Sequence, residues 1–265
     1  MALRAACLLL VAAAVGAEDE AVDLAPGWRK GEVCDRTMTR TIRVRGNQMV
    51  GRVERAMTAE VTEEFDVRDK VLSTSPGGAA GRLERHYRRA RKTTTTAIAG
   101  LDSNTKRETD SAEGTTRTVD LGGADGFLIE LLEHAVYRKG VRAGDKWSGE
   151  ESGDEEEGRL TFMLVEVMTF KEQRVAKIHV TLKAKVASGP GRIDVETKGY
   201  VHFSLDAGRI IRSSLSGPVK LDLGEAGTLH GTISEEMTLS MVEAKEAPGP
   251  EVRPGRGLVR PGRNQ

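Results

Sequence analysis

The stretch Lys177-Ile178-His179-Val180-Thr181-Leu182-Lys183-Ala184-Lys185-Val186 decides the fold class, because apolar and polar residues alternate through it without a break. A period of two places the apolar side chains on one face of a strand and the polar side chains on the other. A sheet with one buried face and one solvated face is typical of antiparallel pairing. This segment therefore predicts a mainly β, antiparallel protein.

The same alternation extends in both directions along the chain. Residues 193–205 carry apolar side chains on one face, and Asp206-Ala207-Gly208 has the composition of a tight hairpin turn before Ile210. Residues 229–241 read as a last strand, and alternation also begins at Thr37. Short turns between successive strands predict a meander that forms a curved sheet or a partly open barrel.

One segment has the spacing of a helix instead. Apolar residues from Phe127 to Val136 recur every three or four positions, Asp125 is a suitable N-cap, and Gly140 is a suitable end. We predict a helix over 126–138. The sequence leaves open whether the β-rich part is one sheet or two sheets divided near 126–145.

The two ends of the chain differ from the middle. Residues 1–17 resemble a secretory signal peptide: Arg4 precedes a short apolar stretch, and small residues lead to a cleavage point after about Ala17. Residues 18–32 are predicted to be a flexible lead-in. The β-rich domain is predicted over 33–247, and the Arg/Pro/Gly tail over 248–265 is predicted to be disordered.

The amino-acid composition limits the classes of partner that the protein is expected to bind. The 40 Lys and Arg residues balance the 40 Asp and Glu residues, so no global field favours nucleic acid or an anionic membrane. After cleavage no segment approaches the ~20 apolar residues that span a bilayer. Cys34 is then the one cysteine, for which we favour the role of a half-buried small residue over interchain pairing or thiol reactivity. We expect an exported, periplasmic or extracellular protein without a transmembrane segment.

The segment Gly140-Val141-Arg142-Ala143-Gly144-Asp145-Lys146-Trp147 carries a resemblance. It is similar to an element of exported bacterial β-rich proteins of unknown function, in which a V-x-x-G-D-x-W strand start precedes a β-meander. The hairpin around Asp206 fits the same pattern, and the resemblance covers about 126–242. It implies a curved sheet similar in outline to periplasmic lipoprotein-carrier folds, and it implies no activity.

Histidines are the first candidates for chemistry. His179, His202 and His230 fall on the polar face of predicted strands, where they either converge on a metal or simply face solvent. We favour solvent exposure, because no two histidines have the local spacing of a metal pair. No nucleophile elbow or phosphate-binding loop is present, so we predict no catalytic residue, no metal ligand and no cofactor.

Charged clusters supply the remaining candidates. The acidic run over 150–157 reads as a solvated hairpin loop or as a calcium loop of irregular spacing. A basic run reads as a contact for a polyanion, or else it pairs with this acidic loop or solvates a strand that is exposed on both faces. The candidate residues for the polyanion contact are Arg85, Arg88, Arg89 and Arg91.

Glu235 is in phase with the apolar residues Ile233 and Met237. Because burying a lone carboxylate is costly, we place it at the rim of the sheet or on a bulge, with a ligand cavity as the other reading.

Two classes of function remain at this point. One is a non-enzymatic binding or carrier module of the cell envelope for a hydrophobic ligand or a protein partner. The alternative is a metal-dependent hydrolase that uses the polar-face histidines, or else a purely structural envelope protein.

Overall fold

The computed structural model describes residues 20–75, 77–101, 105–109, 112–120, 132–133, 135–152, 156–188 and 191–241. Most of these residues lie in β-strands, as the alternation predicts. The strands are β1 Val22–Leu24, β2 Val33–Val50, β3 Val53–Thr74, β4 Ala80–Ile98, β5 Thr105–Thr109, β6 Thr116–Asp120, β7 Arg138–Val141, β8 Lys146–Ser152, β9 Glu156–Phe170, β10 Gln173–Ser188, β11 Gly191–Ser204, β12 Arg209–Asp222 and β13 Gly227–Met241.

One antiparallel sheet of 11 strands dominates the fold. Its order is β5-β4-β3-β2-β13-β12-β11-β10-β9-β8, and β6 also pairs with β4. The N-terminal and C-terminal halves of the chain meet where β13 pairs with β2, from Gly227 opposite Gln48 to Met241 opposite Cys34. The sheet is therefore continuous, and its outermost strands do not pair with each other in the described part of the chain.

Each strand has an inner phase and an outer phase. In β13 the inner residues Leu229, Ile233, Met237 and Leu239 are buried, while the outer residues are exposed, namely His230, Thr232, Ser234, Glu236 and Thr238. Successive side chains of a strand point to opposite faces, so the period of two in the sequence becomes a buried face and a wet face. The core thus lies on the inner face.

A small cover closes one end of the inner face. β1 and β7 form a two-stranded sheet, with Val22 opposite Val141, and they pack on the core together with Leu132 and Val136. The Gly-Asp-x-Trp segment begins β8 as its sequence suggests, and Trp147 stacks on Phe162 with ring centroids 5.4 Å apart.

Three inner-phase glycines mark a sharp bend of the sheet. A Cβ at Gly199, Gly217 or Gly231 would overlap a carbonyl oxygen of the neighbouring strand. The three positions step across β11, β12 and β13, so neighbouring backbone fills the space that side chains would need. Such glycine kinks allow a large sheet to curve.

The lead-in packs against the rest of the protein where it is described. Val22, Leu24 and Trp28 are buried, and the backbone N–H of Gly27 donates to the carbonyl of Gly208 over 3.0 Å. The guanidinium of Arg209 lies 4.1 Å from the ring centroid of Trp28. Within the lead-in predicted over 18–32, these apolar residues therefore pack on the core.

The predicted helix over 126–138 is not confirmed. Residues 126–131 and 134 lie outside the described residues, and the others give a single turn in which Val136 N donates to Leu132 O over 3.0 Å. Arg138 already begins β7, so the predicted end near Gly140 is wrong. The predicted signal peptide over 1–17 and the tail over 248–265 also lie outside the described residues.

Candidate functional site

The inner face carries two apolar regions, and only one of them is covered. The covered region lies under β1, β7 and Leu132. The other, which we call the distal field, contains buried Val44, Val219, Leu229 and Ile233. The rest of the distal field is half-buried, and no other described element packs over it: Ile42, Met57, Ala59, Ile193, Val195, Leu221 and Leu223.

A row of charged inner-phase residues separates the two regions on one half of the sheet. Arg40 Nε and Nη2 donate to Glu63 Oε2 over 2.8 and 2.6 Å, and Lys92 Nζ lies 3.0 Å from Glu63 Oε1. Glu235 lies opposite Arg40 in register. Burial acts to raise the pKa of Glu63, but Arg40 and Lys92 together lower it below its ordinary value. Glu63 therefore stays ionised, and the row is a belt of alternating charge.

Glu235 belongs to this belt and not to a rim. Its side chain is 1% exposed. The pairing of β13 with both neighbours continues past it without a register shift, which excludes a bulge. The two favoured readings are thus wrong, because a neighbouring arginine across the strand pair makes an inward carboxylate tolerable.

The basic run on β4 is matched by carboxylates on the strands beside it. Arg85 forms two hydrogen bonds with Asp69, and Arg88 contacts both Asp66 and Asp35. The distances are 2.8 and 3.0 Å for Arg85, and 3.1 Å for Arg88 Nη1 to Asp35 Oδ2. These partners lie on β2 and β3, whereas the sequence reading placed the partners of the basic run in the acidic run over 150–157.

The other two candidates of the run are also paired. Arg89 Nη2 lies 3.1 Å from Glu64 Oε2, and Arg91 Nε lies 2.8 Å from Glu108 Oε1. All four candidate arginines therefore have an acidic partner inside the sheet. A polyanion would compete with those carboxylates, and its contact with this run stays a prediction.

Sequence reasoning missed a buried ion cluster at the covered end. Asp69 is fully buried between Arg85 and Arg36, whose Nε lies 3.1 Å from Asp69 Oδ2. Arg36 Nη2 also donates to Glu133 Oε2 over 3.2 Å, which ties the turn at 132–136 to the sheet. The sequence did contain a signal for buried charges, because Arg36 and Asp69 are in phase with the apolar residues of β2 and β3. These contacts are structural, since the cluster lies inside the core.

Cys34 lies beside this cluster and is fully buried, whereas a half-buried side chain was expected. Burial raises the pKa of its thiol to about 11, against an opposing effect of Arg36. The thiolate is the reactive form of cysteine, so a buried protonated thiol does not support interchain pairing or thiol chemistry.

The three polar-face histidines do not converge. His179 packs against Tyr200 and His202 against Phe170, with ring centroids 5.3 and 6.0 Å apart. His202 is level with Thr238 of β13, eight residues from His230, or roughly 27 Å along the strand. Among the described residues no group of three His, Cys, Asp or Glu side chains could hold a metal ion. The side chains of the acidic run at 150–157 lie outside the description.

The outer face has a feature that the sequence did not reveal. Two hollows, of about 600 and 670 Å³, lie side by side and share His230 and Gly231. Among the residues that line each hollow, those of the outer phase outnumber those of the inner phase, so both hollows open on the outer face. Together they form a trough across β4, β3, β2, β13, β12, β11, β10 and β9, which we call the outer trough.

Two rows of outer side chains form the walls of the outer trough, as the strand registers show. Its floor is the backbone between the rows, which includes Gly231. The first row runs through Ala97, Thr58, Arg45, His230, Lys220, Asp194 and Lys185. The second row runs through Thr95, Glu60, Arg43, Thr232, Pro218, Glu196, Lys183 and Arg159.

Comparisons with known proteins add little. No protein-family model matches the chain, and no curated protein matches it. Among solved structures, a DUF1329 family protein from Desulfovibrio piger shares 10% identity over 78% of this chain and 83% of that chain, with a TM-score of 0.11. A similarity at this TM-score supports no argument about fold or function.

Within the described residues, no helix has the length and apolar character needed to cross a membrane.

Proposed function

We propose that this chain is an exported, non-enzymatic binding or carrier module of the cell envelope, and that its distal field takes up a hydrophobic ligand. The observation that carries the proposal is the half-buried state of seven apolar residues on the inner face, with no other described element over them. Apolar surface left open in this way often marks a binding site.

The charged belt gives the distal field a boundary. Arg40, Glu63 and Glu235 stand between it and the covered core, so an apolar ligand would stop at this row. A neutral chain such as an acyl or alkyl group suits the distal field, because its half-buried members are all apolar. The signal-like pattern over 1–17 supports export.

A chain-length series tests the proposal. The fluorescence of N-phenylnaphthylamine would report occupancy, and n-alkanols of increasing length would displace it. Because each buried methylene contributes about 0.8 kcal/mol, affinity should rise about fourfold per methylene until the field is full. An affinity that does not depend on chain length, or no dye uptake at all, would contradict the proposal and favour a purely structural role.

Paired variants locate the site. Ile193 and Leu221 lie opposite each other in register, so Ile193→Gln with Leu221→Gln should abolish dye uptake. The control is Val167→Gln, which changes a 38% exposed apolar residue of β9. Equal loss in both proteins would show that the dye binds elsewhere.

A further inference from the structure

The centre of the outer trough carries positive charge that the protein itself does not neutralise. Lys220, His230 and Arg45 lie directly opposite one another on β12, β13 and β2. Among the described residues, neither Lys220 nor Arg45 has an ion-pair partner. The nearest acidic neighbour in the row, Asp194, is held by Arg192 over 3.0 Å.

The second wall of the trough differs in this respect. Arg43 Nε lies 3.0 Å from Glu60 Oε2, and Lys183 Nζ lies 3.1 Å from Glu196 Oε1. These cations are satisfied within the sheet. Among the described residues, Arg43 and Lys183 of the second wall are therefore paired, whereas Arg45 and Lys220 of the first wall are not.

Arg45 and Lys220 carry the same charge on either side of His230, so they repel each other across β13. An anion placed over His230 would reach both flanking cations, which lie two strand spacings or roughly 10 Å apart. Arginine can bind a phosphate or carboxylate with two hydrogen bonds. The arrangement thus favours an anionic ligand at this point.

The shape of the trough selects the form of that ligand. The trough crosses eight strands, or roughly 34 Å at the usual strand spacing. Among the described residues that line it, His230 has the one aromatic ring and no Phe, Tyr or Trp side chain is present, so recognition rests mainly on charge. A long concave channel with charge at its centre suits an extended chain better than a flat membrane surface.

We propose that the outer trough binds a linear polyanion, whose phosphate, sulfate or carboxylate groups contact Arg45, His230 and Lys220. The chain lies across the strands between the two walls. The site is on the opposite face from the distal field, so it is independent of the proposed uptake of a hydrophobic ligand.

Matched double variants test this proposal on the full chain. Arg45→Gln with Lys220→Gln and Arg43→Gln with Lys183→Gln each remove two positive charges from the same trough. Binding of a polyphosphate long enough to span the trough would be measured by calorimetry at several salt concentrations. The first pair should weaken binding about tenfold or more and reduce the salt slope by about one per lost contact. The second pair should change affinity less than about threefold, because its cations already have partners.

Each other outcome counts against the proposal. Equal loss in the two double variants would mean that net charge alone attracts the polymer. Equal affinity for inorganic phosphate would mean a single-anion site, and binding only to phosphatidylglycerol vesicles would mean a membrane contact. Unchanged circular dichroism and melting temperature of both variants would show that the fold is intact, and a sulfated glycan of matched length would show which anionic group is preferred.

Discussion

The buried carboxylate of Asp69 allows a direct test of how much the buried ion pairs contribute to the stability of the fold. Asp69 accepts two hydrogen bonds from Arg85, at 2.8 and 3.0 Å, and lies 3.1 Å from Arg36 Nε. The substitution Asp69→Asn keeps the volume but removes the charge. It also turns an amide group toward a guanidinium, so that a donor faces a donor.

The expected cost follows from burial. Breaking a buried ion pair by removing one partner costs about 3–5 kcal/mol, because the remaining charge stays away from water. Hydrogen bonds to charged groups contribute about 1.5–3 kcal/mol each, but three contacts to one carboxylate are not additive. Arg36 keeps its contact with Glu133, which limits the loss. We expect Asp69→Asn to lower the free energy of unfolding by about 3–5 kcal/mol.

Asp35 provides a matched control. It also lies between two arginines, Arg68 at 2.8 Å and Arg88 at 3.1 Å, but its side chain is 22% exposed. Partly solvated pairs contribute about 1 kcal/mol or less, so Asp35→Asn should cost far less. Urea unfolding of both variants would be followed by the fluorescence of Trp28 and Trp147, which are buried. A loss below about 1 kcal/mol for Asp69→Asn, or equal losses in the two variants, would refute the reasoning.

Three further predictions follow from other parts of the sheet. The pKa of Asp35 is lowered, mainly by hydrogen bonding from Arg68, and that of Glu63 is lowered by its cationic neighbours although burial opposes this. The folded-state pKa values lie below the unfolded ones, so the stability that these two ionised carboxylates contribute is present above about pH 4.5 and is lost as the pH falls further. Urea titrations between about pH 6 and pH 3 would show this loss, and constant stability over that range would contradict it. The thiol of Cys34 should not react with a disulfide reagent in the native protein and should react fully in urea, whereas rapid native labelling would show that it is accessible. Gly231→Ala should destabilise the protein by about 1–3 kcal/mol or more, because its Cβ would overlap the carbonyl oxygen of Arg43. The control Gly77→Ala should be tolerated, because its Cβ meets only Ser75 Oγ at 3.8 Å. Equal melting temperatures of the two variants would contradict this account.

The alternation of residues was sufficient to predict the strands and which side chains are buried. It identified β10, β11, β12 and β13, because their hydrophobic residues keep one phase over their whole length. In the N-terminal half, the alternation that begins at Thr37 does not reveal that β3 is one strand from Val53 to Thr74. The charged inner-phase residues of β3, such as Glu63 and Asp69, interrupt its apolar phase and hide its continuity.

The partners of charged residues could not be predicted, because they depend on strand register. Arg85 and Asp69 are 16 residues apart, and Arg36 and Glu133 are 97 apart. Nothing in the sequence specifies which of 40 acidic residues lies opposite a given arginine. The outer trough was hidden for the same reason, since it arises only when β2 and β13 are brought side by side.

The pairing of β2 with β13 is the central claim, because it joins the two halves into one sheet and creates both the charged belt and the outer trough. Thr37 and Thr238 lie opposite each other across this pair, with their Oγ1 atoms 2.5 Å apart. In a Cys34→Ala background, Thr37→Cys with Thr238→Cys should form an intramolecular disulfide on mild oxidation, detected by mass spectrometry of the digest. Thr37→Cys with Ser234→Cys, displaced by four residues or roughly 13 Å, should not. Efficient crosslinking of the displaced pair, or none of the matched pair, would show that the two halves do not meet in this register.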